Sequence, residues 1–290
     1  MGVVVTVMNM KGGVGKTTVT LHLGGILGRY RLGTSSGLRV LLIDYDPQFN
    51  LSQAMLPPKA YFAAEKARKT TLSVLLDDDL DLNPYHLQVP GSHVPPSVTD
   101  IVSSIYASKD GSSRLDLVPS TLDLMYVALG QTDTQVKPIE ERFEKFITQC
   151  KSLYDVVIID CHPAGSLFTK TSLRNSDHVL IPVVPQRYSV RGIGLMMNFI
   201  AAKKQGTRGP QPHILFNATA RIGVSTQESQ IRSTTEFSQY CMNNTLKRYA
   251  AFAEPEDGTG FVWFSRKPYS TEAFRNLMAV ATEFRQRIGV

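Results

Sequence analysis

The chain has 290 residues, 42% of them hydrophobic, and a formal net charge of +6, which suits one large α/β domain over residues 1–290. No stretch approaches the roughly 18 consecutive apolar residues of a membrane span and the first residues enter a strand at once, so a cytoplasmic protein without stable membrane insertion is expected. Cys150, Cys161 and Cys241 form no Cys-x-x-Cys pair and have no histidine at metal spacing, which argues against a zinc site or a disulfide framework.

Val3 to Asn9, VVVTVMN, is a β-branched apolar run that predicts a buried strand, and Thr17 to Tyr30 predicts a helix. Between them lies MNMKGGVGKTT, residues 8–18. Backbone N–H groups at Gly12, Gly13 and Gly15, together with a helix N-terminus, make an anion site. Lys16 would neutralise β- and γ-phosphates there, and the Thr17 hydroxyl would ligate Mg²⁺. The alternative is a glycine turn that only links strand to helix; the Gly-Lys-Thr ending favours phosphate.

Leu38 to Ser52, LRVLLIDYDPQFNLS, predicts a buried parallel strand whose C-terminal end carries Asp44 and Asp46. From about 57 to 111 the pattern breaks into an irregular excursion of short helices and loops, with helix signals at Thr71–Leu76 and Val98–Val102 and an acidic run from Asp77 to Asp81. That run reads as a solvated loop, because adjacent aspartates lack the spaced ligands of a calcium site. Arg114 to Leu124 restores a strand and turn. A helix follows over Pro138–Leu153, with Ile139, Phe143, Phe146, Ile147 and Cys150 on one face.

Asp155 to Ile159 enters the sheet and Asp160 ends the run, followed by Cys161-His162-Pro163-Ala164. Two more strands are predicted at His178–Pro185 and His213–Ala220. Phe274, Leu277, Met278, Ala281, Phe284 and Ile288 form a stripe on a terminal helix, fitting either a helix packed on the sheet or an interfacial membrane helix. Charge is uneven: residues 187–290 hold 14 Lys+Arg against 7 Asp+Glu, while residues 1–186 hold 17 against 18. A basic last third suggests a polyanion surface, most simply nucleic acid; a solvated face without a partner is the other reading.

The phosphate loop departs from G-x-x-x-x-G-K-[ST], since Met10 stands where the first glycine would fall and Lys11 follows. KGGVGKTT resembles the deviant Walker-A box of the ParA/MinD family of ATPases, and the other motifs recur in family order: DYDPQ as switch I, LDLVPS, Walker B with switch II, and IPVVPQRYSVRGI. The resemblance implies an α/β P-loop NTPase fold, a mostly parallel twisted β-sheet flanked by helices on both faces. It implies ATP bound by Lys11, Gly12, Gly13, Val14, Gly15, Lys16, Thr17 and Thr18, with Asn217 recognising the base. Lys11 would cross to the nucleotide of a second copy in a sandwich homodimer; Asp46 would position or deprotonate the attacking water; Thr17 and Asp160 would hold Mg²⁺, with Asp44 near its water shell. His162 departs from the family's usual Cys-Pro-Pro.

In ParA-like relatives basic residues of the last third grip DNA backbone without reading sequence. The candidates here are Lys203, Lys204, Arg208, Arg221, Arg232, Lys247, Arg248, Arg266 and Lys267, with Tyr240, Tyr249, Trp263 and Tyr269 interleaved as packing residues. The family further implies a ParB-like centromere-binding or cargo-adaptor partner that stimulates hydrolysis, nucleoid association, and segregation of plasmid or chromosomal DNA. The immediate N-terminal strand resembles the short ParA/Soj form. Competing readings are a MinD-like membrane switch and a ParA-like ATPase that positions a protein assembly. An electron-transfer ATPase with a cluster between subunits lacks a suitable second cysteine.

Overall fold

The computed structural model describes residues 1–32, 37–77, 94–128, 133–162, 166–187, 189–202, 209–253 and 260–290. In chain order the elements are β1 (Val3–Val7), α1 (Lys16–Arg29), β2 (Arg39–Tyr45), α2 (Asn50–Met55), α3 (Pro58–Lys66), α4 (Thr71–Leu75), α5 (Val98–Ile101), β3 (Ser103–Ala107), β4 (Arg114–Val118), α6 (Leu124–Ala128) and α7 (Asp133–Leu153). They continue with β5 (Val156–Cys161), α8 (Leu167–Arg174), β6 (His178–Val183), α9 (Ser189–Ala202), β7 (Gln211–Phe216), α10 (Thr226–Ser233), α11 (Thr235–Ser238) and α12 (Ser270–Ile288). Two 3₁₀ turns, Ala250–Ala253 and Val262–Phe264, precede α12.

The strands form a seven-stranded sheet in the order β3-β4-β2-β5-β1-β6-β7, parallel except for the β3–β4 pair. The apolar runs are continuous because both faces are covered, and alternate residues divide between two cores. Leu41, Ile43 and Tyr45 of β2, with Val157 and Ile159 of β5, pack under α7 and α8; Val40, Leu42, Val156 and Ile158 pack under α1 and α12. The α7 face named from the sequence, Ile139 through Cys150, is buried.

Two details differ from the sequence expectations, and the terminal stripe resolves between the two readings open to it. The helix expected from Pro138 begins five residues earlier, at Asp133. The excursion contains an antiparallel edge strand, β3, whose residues are all partly exposed and so carry no burial pattern. The terminal stripe is used internally: Leu277, Ala281, Phe284 and Ile288 are buried in the core shared with α1, so that face of α12 is not offered to a membrane. No helix among the described residues is long and apolar enough to cross one. Asp78, Asp79 and Asp81 of the acidic run lie outside the described residues.

The parallel strands all end on one edge, and β1 sits between β5 and β6. That edge is where an open α/β sheet binds ligands.

Candidate functional site

The loop from β1 to α1 is positioned by Asn9. Its Nδ2 donates to the Pro182 carbonyl at 2.8 Å and its Oδ1 accepts the Lys11 N–H at 2.9 Å, tying the loop to the end of β6. Gly13 and Gly15 have φ of +70° and +82°, the left-handed region that a Cβ disfavours. Gly12, Gly13 and Lys11 are exposed, while Val14 is buried. Lys16 opens α1, so the expected phosphate cradle lies at a helix N-terminus.

Thr17 donates its hydroxyl to Asp160 Oδ2 at 2.7 Å, and Thr20, one turn along α1, reaches Asp160 Oδ1 at 3.3 Å. Asp160 is buried, and burial pushes its carboxyl up to about 7 against the opposing pull of Thr17 and Lys16. Its partner across the β2–β5 ladder is Asp44, which is also fully buried. Burial, and then the neighbouring Asp160, raise the Asp44 carboxyl well above the usual range. A hydroxyl and a carboxylate in contact form an all-oxygen donor set, with a second buried carboxylate beside them on the neighbouring strand. Such a site fits Mg²⁺, which takes one or two carboxylates plus phosphates. Among the described residues no group of three or more His, Cys, Asp or Glu forms a self-sufficient metal cage.

Asp44 itself is fully engaged. Its Oδ2 accepts the Ser52 hydroxyl at 2.6 Å and the Ser52 N–H at 2.8 Å, and its Oδ1 accepts the Asp46 N–H at 3.3 Å. It therefore anchors switch I. Ser120 of the LDLVPS segment completes the anchor: its N–H donates to Ser52 Oγ at 2.8 Å and its hydroxyl to the Asp46 carbonyl at 2.7 Å. Asp46, half-buried, caps the turn through a bond from the Gln48 N–H at 2.9 Å. Ser52, Ser120, Thr20 and Asn9 do not stand out as site residues in the sequence. Ser120 lies within LDLVPS, but nothing local marks its partners, which are 68 and 74 residues away.

Lys11 is exposed, and its Nζ donates to Gln186 Oε1 at 2.6 Å; Gln186 belongs to the PVVPQR stretch after β6. Asn217, at the end of β7, donates Nδ2 to the Val14 carbonyl at 2.8 Å and accepts the Ala218 N–H on Oδ1. It lies at the back of the phosphate loop, against Gly15. His162 donates its N–H to the Tyr45 carbonyl at 3.4 Å; Pro163 and Ala164 lie outside the described residues. Cys161 is buried against Ser172, and burial pushes its thiol up to about 12, which suits an inert core thiol.

The basic candidates separate. Arg221 and Arg248 line a groove of about 640 Å³ with Tyr249 and Tyr269. The Arg221 guanidinium lies 4.6 Å from the Tyr269 ring centre, and Lys247 donates Nζ to the Arg221 carbonyl at 2.9 Å. Arg266 is exposed and Lys267 half-buried, immediately before Pro268 and Tyr269 at the same groove. Arg232 is a correction. Its guanidinium bonds Glu228 at 2.9 Å and the Met242 carbonyl at 2.9 Å and lies over the Phe216 ring, so its charge is spent inside the fold. Lys203, Lys204 and Arg208 lie outside the described residues.

The model of a family described as "AAA domain" matches residues 2–209. A ParA family protein of Chlamydia muridarum is 30% identical over 216 residues, covering 74% of this chain and 70% of its own. Sporulation initiation inhibitor protein Soj of Bacillus subtilis is 30% identical over 200 residues, covering 69% and 65%. Among solved structures, an ATP complex of a variant Cyanothece McdA aligns with a TM-score of 0.70 at 17% identity, covering 100% of this chain and 97% of its own. A Borrelia burgdorferi plasmid partition protein bound to AMPPNP aligns at 0.67 and 18% identity, covering 99% and 100%. The complex of pNOB8 ParA with nonspecific DNA aligns at 0.63 and 19%, covering 99% of each chain. At these identities the structures speak for the fold, and the sequence matches for the family. The chain belongs to the ParA/MinD family of P-loop ATPases, on its ParA/Soj-like partition side.

Proposed function

We propose that the chain is a Mg²⁺-dependent ATPase that works as a DNA-partition switch. ATP binds over Lys11 to Thr18, two copies pair across their nucleotides, and the pair holds DNA without reading its sequence until hydrolysis releases it. The observation that carries this reading is the meeting of Thr17 and Asp160 at 2.7 Å beneath a loop with two left-handed glycines.

Each residue has a definite task in it. The N–H groups around Gly13 and Gly15 and the Lys16 ammonium bind and orient the phosphates. Thr17 and Asp160 would hold Mg²⁺, which would supply charge neutralisation at the phosphates. Asp46, kept in place through the Ser120 bond to its carbonyl, orients the attacking water and accepts its proton. The Lys11 ammonium, held by the exposed Gln186, exchanges that partner for a second copy's phosphates. Asn217 holds the phosphate loop from behind through its 2.8 Å bond to the Val14 carbonyl. Arg221, Lys247, Arg248, Arg266 and Lys267 meet DNA phosphates around the 640 Å³ groove, as a ParA structure with nonspecific DNA suggests for a protein of this fold. A ParB-like or cargo-adaptor protein stimulates hydrolysis.

The test is binding to random-sequence duplex DNA with ATP, with ADP and without nucleotide, at two salt concentrations. Tight binding only with ATP, weakened by salt, lost in Lys11→Ala and prolonged in Asp46→Ala is the expected result. Equal binding in all three nucleotide states overturns the reading.

A further inference from the structure

The turn between β7 and α10 carries an apolar tip to which the roles above assign nothing. Ile222 is 93% exposed and Val224 61%; of the large apolar side chains among the described residues, only Met1 stands further into water than Ile222. A lone exposed hydrophobe is ordinary, but this one is held out by a turn fixed at both ends. On the incoming side the Thr219 N–H donates to the Leu246 carbonyl at 3.1 Å and the Arg248 N–H to the Thr219 carbonyl at 2.8 Å. Lys247 Nζ then holds the Arg221 carbonyl at 2.9 Å. On the outgoing side Ser225 caps α10, its Oγ accepting the Glu228 N–H at 3.1 Å. Between them Gly223 has φ of +75°, which reverses the chain without a Cβ penalty.

The surroundings of the tip are cationic. Arg221 immediately precedes Ile222, lines the basic groove with Arg248, and lies over the Tyr269 ring. The Lys247 ammonium sits on the carbonyl of the peptide that joins Arg221 to Ile222. No carboxylate among the described residues lines the groove. Two adjoin it in sequence. Glu228 is buried and paired with Arg232 at 2.9 Å, and Glu272 is exposed in the first turn of α12, so three cations stand against one exposed carboxylate.

We propose that Ile222 is a wedge: it enters the minor groove of a bound DNA duplex and parts one base step, while Arg221, Lys247 and Arg248 hold the phosphates beside it. The cations select a polyanion, and the size of the tip selects which one. Two side chains fall far short of the roughly 800 Å² that each partner buries in a stable protein interface. They carry about half the carbons of one fatty acyl chain, which is itself only a marginal anchor in a bilayer. A base step needs no more than one such side chain, because an apolar residue slipped between two base pairs unstacks them and kinks the duplex. A wedge accepts any sequence and costs least at flexible TA and CA/TG steps, so it is compatible with binding that does not read bases. The inference rests on the DNA binding proposed above and adds to it a bend in the DNA.

The experiment uses the full chain with ATP and a duplex of about 30 base pairs carrying 2-aminopurine at its TA steps. The fluorescence of 2-aminopurine is quenched in the base stack and should rise when protein saturates the DNA. Ile222→Ala should lose that rise and bind about tenfold more weakly, with the salt slope of the parent because the phosphate contacts are untouched. Ile222→Met, which keeps an apolar wedge, should restore the rise. Arg248→Ala should do the opposite, lowering the salt slope while keeping the rise at saturation. DNA binding without a rise, or with a rise that survives in Ile222→Ala, overturns the wedge and leaves the partition reading standing. So does dissociation of the ATP-bound pair by Ile222→Ala in sedimentation without DNA, which would make the tip a contact between copies. Equal DNA binding in every nucleotide state overturns the partition switch, whereas a rise abolished by Ile222→Ala would still support the wedge.

Discussion

Gly15→Ala offers a quantitative test of how the phosphate loop is held. Gly15 has φ of +82°, where a residue with a Cβ loses about 1–2 kcal/mol. A Cβ at that position would also lie 2.3 Å from Asn217 Nδ2, so the amide must move and surrender its 2.8 Å bond to the Val14 carbonyl. Val14 is 3% exposed, and losing a buried bond of this kind costs about 1 kcal/mol. Gly15→Ala should therefore destabilise the chain by about 2–3 kcal/mol. In an Asn217→Ala background the bond is already gone and the space is open, leaving only the backbone cost. The double variant should be about 1 kcal/mol more stable than the sum of the single changes predicts. Urea unfolding of the four proteins, with unchanged m-values, measures the cycle, and fluorescent ATP titration follows the consequence for the site. Additivity within about 0.3 kcal/mol would refute the contact.

Two further tests address assignments the sequence alone would blur. Arg232→Ala should cost about 3 kcal/mol in urea unfolding, because it strands the buried Glu228 carboxylate; Arg248→Ala should leave stability nearly unchanged and lower the slope of log affinity for DNA against log salt by about 1. Burial holds the imidazoles of His22 and His213 down to about 4, below the roughly 6.5 of the unfolded chain. Stability is then fully present above about pH 6.5 and falls as pH drops toward 4, by about 1.4 kcal/mol per pH unit for each ring. The raised Asp160 and Asp44 carboxyls gain stability over the same window as pH falls, so the check is the difference between His22→Leu and the parent in urea unfolding, which should shift in favour of the variant by about 1.4 kcal/mol per pH unit as pH drops from about 6.5 toward 4.

The sheet was legible because its strands are buried on both faces, so that Val3–Val7, Val156–Cys161 and their neighbours appear as unbroken apolar runs. β3 was not, since SSIYA at a half-exposed antiparallel edge carries neither a run nor an alternation. The phosphate loop was legible through glycine and lysine spacing, chemistry that leaves little freedom of sequence. Partners brought in by the fold were not: nothing near Asp44 announced the Ser52 clamp on it, and Arg232 looked like any other basic surface residue until Glu228 and the Met242 carbonyl were found beneath it. Local sequence specifies a residue's chemistry, whereas its availability depends on what the fold brings against it.

Switch I shows what that dependence does. The Asp44 carbonyl accepts the Thr71 hydroxyl at 2.7 Å, the Asp46 carbonyl accepts the Ser120 hydroxyl at 2.7 Å, and Ser52 is clamped between Asp44 and Ser120. The loop is thus fixed on both sides of Pro47–Leu51, and a swing of the whole segment would break at least three buried or half-buried bonds, each worth about 1 kcal/mol. Within the fixed ends sits Phe49, whose φ of +44° is unfavourable for a bulky residue. Release of that strain, and of the stacking on Tyr61, would let Gln48 to Asn50 shift while Ser52 keeps its hold on Asp44. Phe49 stacks on Tyr61, a buried residue of α3, so the strained residue is the side-chain contact that joins switch I to that helix.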